Sequence, residues 1–357
     1  MALMNNSNDT GDNITMNRRN FARWASALAL AATTALSTPG NAARAEASTV
    51  RLSHGYGILY LPLMVMRDQH LVEKHAKALG LGDVKTTWTI LDGGNVINDA
   101  MLAGNLDVAG TGAPGFVTLW SKAHGIPRSE VIGLSALSTG PLWLNTNNPN
   151  IKSLKDFTPK DKIAIPGIKT SLSAVLLQMA VAKTFGIENY ARLDPQTVSL
   201  SHPEAVSALL SGKTEITAHF TSPPFSYQEV KDPRIKRVLN STDVLGNITI
   251  DVVFAPKQFT VQNPKLVQAI LAAQEEAAAY IAKDHVGAAQ TFLRVSKMNL
   301  PQAEIEQMLA DPGLQFTTTP NGLMQYVEFM GRAGTIKTRP AKWSELFVPQ
   351  MAARQGS

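Results

Sequence analysis

The chain of 357 residues contains no cysteine. That absence excludes disulfides, thiolate nucleophiles, thiolate zinc sites and iron–sulfur clusters, so stability has to come from packing. Aromatic residues are scarce at 6% and charged residues modest at 17%. No low-complexity tract or long run of one charge follows residue 50, which argues against a nucleic-acid partner and confines disorder to the N-terminus. No apolar run reaches the length of a membrane-spanning helix. Catalytic signatures are missing as well: there is no H-E-x-x-H, no P-loop and no G-x-S-x-G elbow, and His70 and His75 are spaced wrongly to share a helix face around zinc. The run from Gly110 to Gly115 fits a dinucleotide fingerprint only loosely, because Pro114 intrudes. No catalytic residue, metal or cofactor is expected.

What is present begins with an address. Asn17-Arg18-Arg19-Asn20-Phe21-Ala22-Arg23 is followed by an apolar run from Trp24 to Leu36 and by Ala43-Arg44-Ala45, an A-x-A cleavage pattern. This predicts a twin-arginine export signal over residues 1–45, a periplasmic location, and a processed chain that does not span the membrane. The same arginines would also serve as the basic start of a general secretory signal; either route leads out of the cytoplasm. Removing four arginines and two aspartates with the signal takes the formal charge from +5 down by two, to +3. That excess is too small and dispersed for nucleic acid or a membrane surface, though it helps collect anions.

The length favours two domains. Strand-like and helical stretches alternate: Thr49–Ser53, Ile58–Gln69, Val84–Leu91, Asn95–Ala103, Leu106–Ala109 and Pro114–Ala123. This is the grammar of βαβ units and a parallel sheet. The segment from Asp99 to Ala109 is echoed by that from Ser207 to Thr217 at a constant offset of 108. In each, an apolar helix ends on a glycine suited to a left-handed cap, and an acidic residue leads into a buried strand. Each half then supplies three strand-to-helix turns. In open parallel sheets ligands sit at the carboxyl ends of strands, so six turns are expected to face one cleft. Chain crossings near Ser138–Pro141 and Asp251–Phe254 are the expected hinge, and the helical remainder from Asn263 onward should pack on the first half.

At those turns, helix N-termini offer unpaired N–H groups and a positive dipole end, which suits an oxyanion. Gly93-Gly94-Asn95 and Thr170-Ser171 are such turns, with Thr111, Gly112 and Thr221 nearby for hydrogen bonds and Tyr56 and Phe220 as walls. His54, His202, His219 and Lys169 are the titratable candidates beside them; each is equally readable as a cap, a satisfied strand end or a solvated surface group.

These residues carry a resemblance. His54-Gly55-Tyr56-Gly57-Ile58-Leu59-Tyr60-Leu61-Pro62-Leu63, Leu91-Asp92-Gly93-Gly94-Asn95, Leu102-Ala103-Gly104-Asn105-Leu106-Asp107, Ser199-Leu200-Ser201-His202-Pro203-Glu204 and His219-Phe220-Thr221-Ser222-Pro223-Pro224-Phe225 resemble the substrate-binding proteins of ABC importers for nitrate, sulfonates and taurine. The resemblance implies an α/β type II periplasmic-binding-protein fold, with residues 46–138 plus 250–357 as one lobe and 139–249 as the other. It further implies a monomer that delivers a small anionic solute to an ABC permease and its cytoplasmic ATPase. The residues it places at the cleft are Tyr56, Gly94, Asn95, Thr111, Gly112, Thr170, Ser171, His202, His219 and Thr221. The rival readings are a solute sensor docking on a membrane receptor, and a pyrimidine-precursor-binding protein or enzyme of the same fold.

Overall fold

Apolar strands flanked by amphipathic helices assemble here into two sheets. In a computed structural model of the protein the described residues are 45–357; the expected twin-arginine signal over residues 1–45 lies outside them, apart from its last residue. The strands are β1 (Thr49–His54), β2 (Lys85–Ile90), β3 (Val108–Gly112), β4 (Val131–Thr139), β5 (Trp143–Thr146), β6 (Lys162–Ile165), β7 (Thr197–Ser199), β8 (Ile216–Thr221), β9 (Lys236–Asn240), β10 (Thr249–Pro256) and β11 (Gln315–Phe316). One sheet has the order β11-β4-β10-β3-β1-β2 and the other β7-β6-β8-β5-β9.

In the first sheet β1 runs parallel to β2 and β3, and in the second β6 runs parallel to β7 and β8. The carboxyl ends of each trio therefore lie along one edge of their sheet. Each sheet also holds a long-range antiparallel strand in its interior: β10 pairs with β3 and β4, and β5 pairs with β8 and β9, while β11 adds an antiparallel edge to the first sheet. An antiparallel strand brings its beginning, rather than its end, to that edge. This places Asp251, near the start of β10, opposite Gly112 at the end of β3 and Ser138 near the end of β4.

The internal echo becomes matching positions. Gly104 and Gly212 both take the left-handed conformation, with φ of 71° and 60°, a region open to glycine at no steric cost. The strands that follow, β3 and β8, begin 108 residues apart and each lies beside its sheet's long-range antiparallel strand.

The chain passes from the first sheet to the second through Gly140–Leu142, and returns through the helix Ser241–Leu245 and residues 246–248. The expected return pivot at Asp251–Phe254 is thus misplaced: those residues are hydrogen-bonded on both sides within the middle of the first sheet, where backbone rotation would break two ladders. The helical remainder packs on the first sheet. Gln274, on the helix Pro264–Lys283, reaches Ser135 and the carbonyl of Ala136 on β4.

Phe254 is fully buried on β10, its ring 5.5 Å from that of Phe116. Phe254→Ala should lower unfolding free energy by about 3–5 kcal/mol through lost transfer energy and a residual cavity, measured by urea denaturation; a loss under about 1 kcal/mol would mean the centre of this sheet is not close-packed.

Candidate functional site

The two rows of turns meet. Helices Gly94–Leu102 and Ala113–Ala123 follow β2 and β3, while Leu172–Phe185, His202–Ser211 and Phe225–Glu229 follow β6, β7 and β8. Between them lies a partly open cavity of about 40 Å³, room for about three water-sized bodies. Its walls come from both halves of the chain. Glycine makes the approach possible: a Cβ on Gly93 would stand 2.8 Å from the carbonyl oxygen of Pro166, one on Gly94 3.1 Å from that of Thr170, and one on Gly112 2.7 Å from the Cβ of Leu172. Hydrogen bonds also cross directly. The N–H of Ile58 donates to the carbonyl of Pro223 at 3.1 Å, the N–H of His202 to Asp92 Oδ2 at 3.1 Å, and the Thr170 hydroxyl to Asn95.

Six of the ten expected residues line this cavity: Tyr56, Gly94, Thr111, Gly112, Ser171 and His202. Asn95 and Thr170 instead bond to one another beside it, across the two halves. His219 and Thr221 stand behind His202. They were expected on a polar turn, but β8 continues through both, and each is buried on the strand. Phe220 is core rather than wall. His54 is buried, lines a neighbouring chamber, and is held uncharged, its pKa lowered by burial to about 4.

Behind the cavity wall runs a buried polar chain. His202 Nδ1 lies 2.9 Å from His219 Nε2 and 3.0 Å from the Thr221 hydroxyl; His219 Nδ1 lies 2.5 Å from Glu229 Oε1; Asn145 Nδ2 donates to Glu229 Oε2 at 2.8 Å. Burial, and then the neighbouring His219, hold the His202 pKa well below the usual histidine range. A nucleophile is what this chain would need to act like a catalytic relay. The Thr221 hydroxyl approaches the same nitrogen that faces His219, and Nε2 of His202 makes no hydrogen bond to any described residue. The chain holds the imidazole in place.

Residues missed from the sequence are the most telling ones. Asp92 and Asp251 both line the cavity, with Tyr60 and Ser222, and no lysine or arginine does so among the described residues. Burial is the largest influence on both carboxyls. It pushes Asp92 up to about 6, against hydrogen bonds from the N–H groups of His202 and Gly93, and Asp251 up to about 7, against the Tyr60 and Ser138 hydroxyls. Asp251 Oδ2 accepts from Ser138 at 3.3 Å, whereas Oδ1, like the buried hydroxyl of Thr111, has no partner among the described residues. A signal existed for Asp251: it is the only charged residue in the apolar stretch from Ile248 to Ala255, and a lone charge in a buried strand is rarely idle.

Known proteins can now be set beside this geometry. A sequence model of the NMT1-like family matches residues 43–293. Among curated proteins, none has a sequence that matches this one. The alkanesulfonate-binding protein SsuA from Xanthomonas axonopodis pv. citri, solved bound to MOPS, is similar in structure with a TM-score of 0.65 at 18% identity, over 83% of this chain and 96% of its own. The periplasmic nitrate-binding protein NrtA from Synechocystis PCC 6803 gives 0.64 at 15% identity, over 84% of each chain. A Candida albicans gene product with the generic periplasmic binding protein fold gives 0.61 at 14%, over 82% of this chain and 92% of its own. The expected α/β periplasmic-binding-protein fold is therefore the fold of this chain.

A raised carboxyl pKa costs stability once the group ionises, so for Asp251 the cost grows as pH climbs from the unfolded value of 3.8 through about 7. Asp251→Asn should accordingly stabilise the ligand-free protein at pH 8 by about 2–4 kcal/mol and leave it nearly unchanged at pH 4. Chemical denaturation at both values checks this; equal effects at the two would mean the carboxyl is not the titrating group.

Proposed function

The chain belongs to the NMT1-like family, and from that premise we propose that it is the periplasmic solute-binding component of an ABC importer, closing two lobes on a small solute and presenting the closed form to a permease. The observation that carries the reading is the cavity between two rows of strand-to-helix turns, with glycines at 93, 94 and 112 where one row comes closest to the other. Two short connections join the halves, and such paired crossings act as a hinge. Further contacts that only a closed form makes lie outside the cavity: the Tyr227 hydroxyl bonds Asp311 at 3.3 Å, and Lys231 pairs with Glu304. Each is partly exposed and worth little alone, which suits a state that must reopen. For the capture to signal occupancy, the solute must favour this closed state over the open one.

Catalysis is not part of the proposal, because the polar groups at the cavity lack an activated nucleophile. Export by a twin-arginine route, the lobe limits of the sequence reading and a monomeric state belong to the proposal as the arrangement in which such a component works. Among the described residues no helix is long and apolar enough to cross a membrane. The small anion of the sequence reading finds support only in the helix N-termini, so the solute is left here as a small polar molecule.

A thermal-shift screen across sulfonates, sulfate esters, nitrate, carboxylates, pyrimidines and amines should find a compound that raises the melting temperature by mass action; conversion of such a compound to product would contradict the reading. Closure itself is tested by Gly112→Ala. The added methyl would stand within 2.7 Å of Leu172 on the other half, and the least costly relief is to hold the cleft open. Affinity for the screened compound should fall by about tenfold or more with little change in ligand-free melting temperature. Unchanged affinity would count against closure.

A further inference from the structure

We propose that the solute is an organic cation, an amine or amidine whose protonated nitrogen sits between Asp92 and Asp251 while its apolar body fills the adjoining chamber beyond Tyr56. This rests on the solute-binding reading and names the chemical class it takes.

The first argument is what the cavity lacks. Its only groups of formal charge are two carboxylates, no lysine or arginine lines it among the described residues, and its histidine, His202, is buried and uncharged. An oxyanion entering about 40 Å³ would place a further negative charge beside two others in a low-dielectric space. Of the helix N-termini that would have to compensate, those of Leu172–Phe185 and His202–Ser211 are already engaged by the protein itself, while those of Gly94–Leu102 and Ala113–Ala123 carry no side-chain cap. The N–H of His202 donates to Asp92, that of Ala174 to the Ser171 hydroxyl, and that of Ser201 to Glu204.

The second argument is what the cavity leaves unsatisfied. Asp251 is 1% exposed and Thr111 0% exposed, both line the cavity, and neither Asp251 Oδ1 nor the Thr111 hydroxyl makes a hydrogen bond of normal geometry among the described residues, the Tyr60 hydroxyl being the one donor that stands near Asp251 besides Ser138. An ionised carboxylate oxygen can only accept, and buried without a donor it is costly. A protonated nitrogen supplies both the missing donor and the opposite charge.

The third argument is the neighbouring chamber of about 200 Å³, which shares Tyr56 with the polar cavity. Its walls include Met64, Ile90 and Met298 from one half of the chain and Pro203 and Phe225 from the other, so closing the halves would wrap an apolar body. His54 also lines it. Its Nδ1 lies 2.9 Å from the carbonyl oxygen of Gly55 and must carry the proton to bond there, which leaves Nε2 a bare acceptor with no partner among the described residues. Both compartments therefore offer acceptors awaiting a donor. The ring of Tyr56 between them provides an aromatic surface of the kind that attracts cations.

Four probes of one shape separate the charges: benzylamine and benzamidine, which are cations at pH 7.5, against benzenesulfonate and benzoate. They are to be titrated calorimetrically into purified protein stripped of ligand by unfolding and refolding. A cation is expected to bind about tenfold or more tightly than either anion. Asp92→Asn and Asp251→Asn should each weaken it by about tenfold, with melting temperature held or raised so that lost folding is not the cause. An anion binding more tightly than both cations, or cation binding untouched by both substitutions, overturns the inference and leaves the solute-binding reading standing. Silence from all four overturns the inference as well; the reading itself falls only when the broad solute screen also leaves the melting temperature unmoved.

Discussion

Backbone meets backbone across the cleft, and that close approach is what the rest of the structure depends on. Where the turns after β2 and β3 face the turn after β6, the first two carry glycine at 93, 94 and 112, and the last offers the carbonyls of Pro166 and Thr170 and the side chain of Leu172 at distances a methyl group would crowd. A side chain at 93 or 112 would meet the facing turn at under 3.0 Å, so one half or the other would have to give way. The parallel strands align three turns per sheet, the antiparallel ones carry the chain's crossings, and the helices flanking each sheet keep it rigid enough for small turn residues to set the gap.

A gap that closes on carboxylates is not restful. Asp92 and Asp251 lose hydration on burial and gain only a few hydrogen bonds, which is why both hold protons well above the usual carboxylate range. Ligand-free, the closed arrangement therefore carries an electrostatic cost that opening would relieve by readmitting water. On the proposed function, a solute that satisfied the carboxylates would remove the cost and shift the balance toward closure, so that recognition and movement would be coupled. The buried row of His202, His219, Glu229 and Asn145 contributes in a different way. His202, His219 and Glu229 are joined in sequence, and Asn145 donates to Glu229 from the far side, which holds one cavity wall in place.

Much of this was legible in the chain, and for identifiable reasons. Local rules sufficed for the alternation of strands and helices, for the echoed glycines 104 and 212, and for the six turns, because each depends on a short window of residues. Tyr56, Gly94, Thr111, Gly112, Ser171 and His202, which line the cavity, belong to those windows. His219 and Thr221 were misjudged because β8 runs two pleats further than its polar composition suggests, carrying both behind His202. Asp251 escaped because only the antiparallel pairing of β10 with β3, between segments well over a hundred residues apart, brings it to the cleft. Asp92 stands in plain view beside Gly93 but does not fit an expectation built on anions and helix dipoles; its burial in a cavity wall without lysine or arginine among the described residues depends on the tertiary fold.

Because the chain has no cysteine, one cysteine introduced on each half can be labelled without background; Leu102 and Lys213 are exposed positions at helix ends suited to this. Single-molecule energy transfer between the two labels measures the separation of the halves directly. With any compound that raises the melting temperature, the account requires two separations in the ligand-free protein and a shift to one of them at saturation. A single separation, the same with and without that compound, would contradict the claim that this protein works by closing.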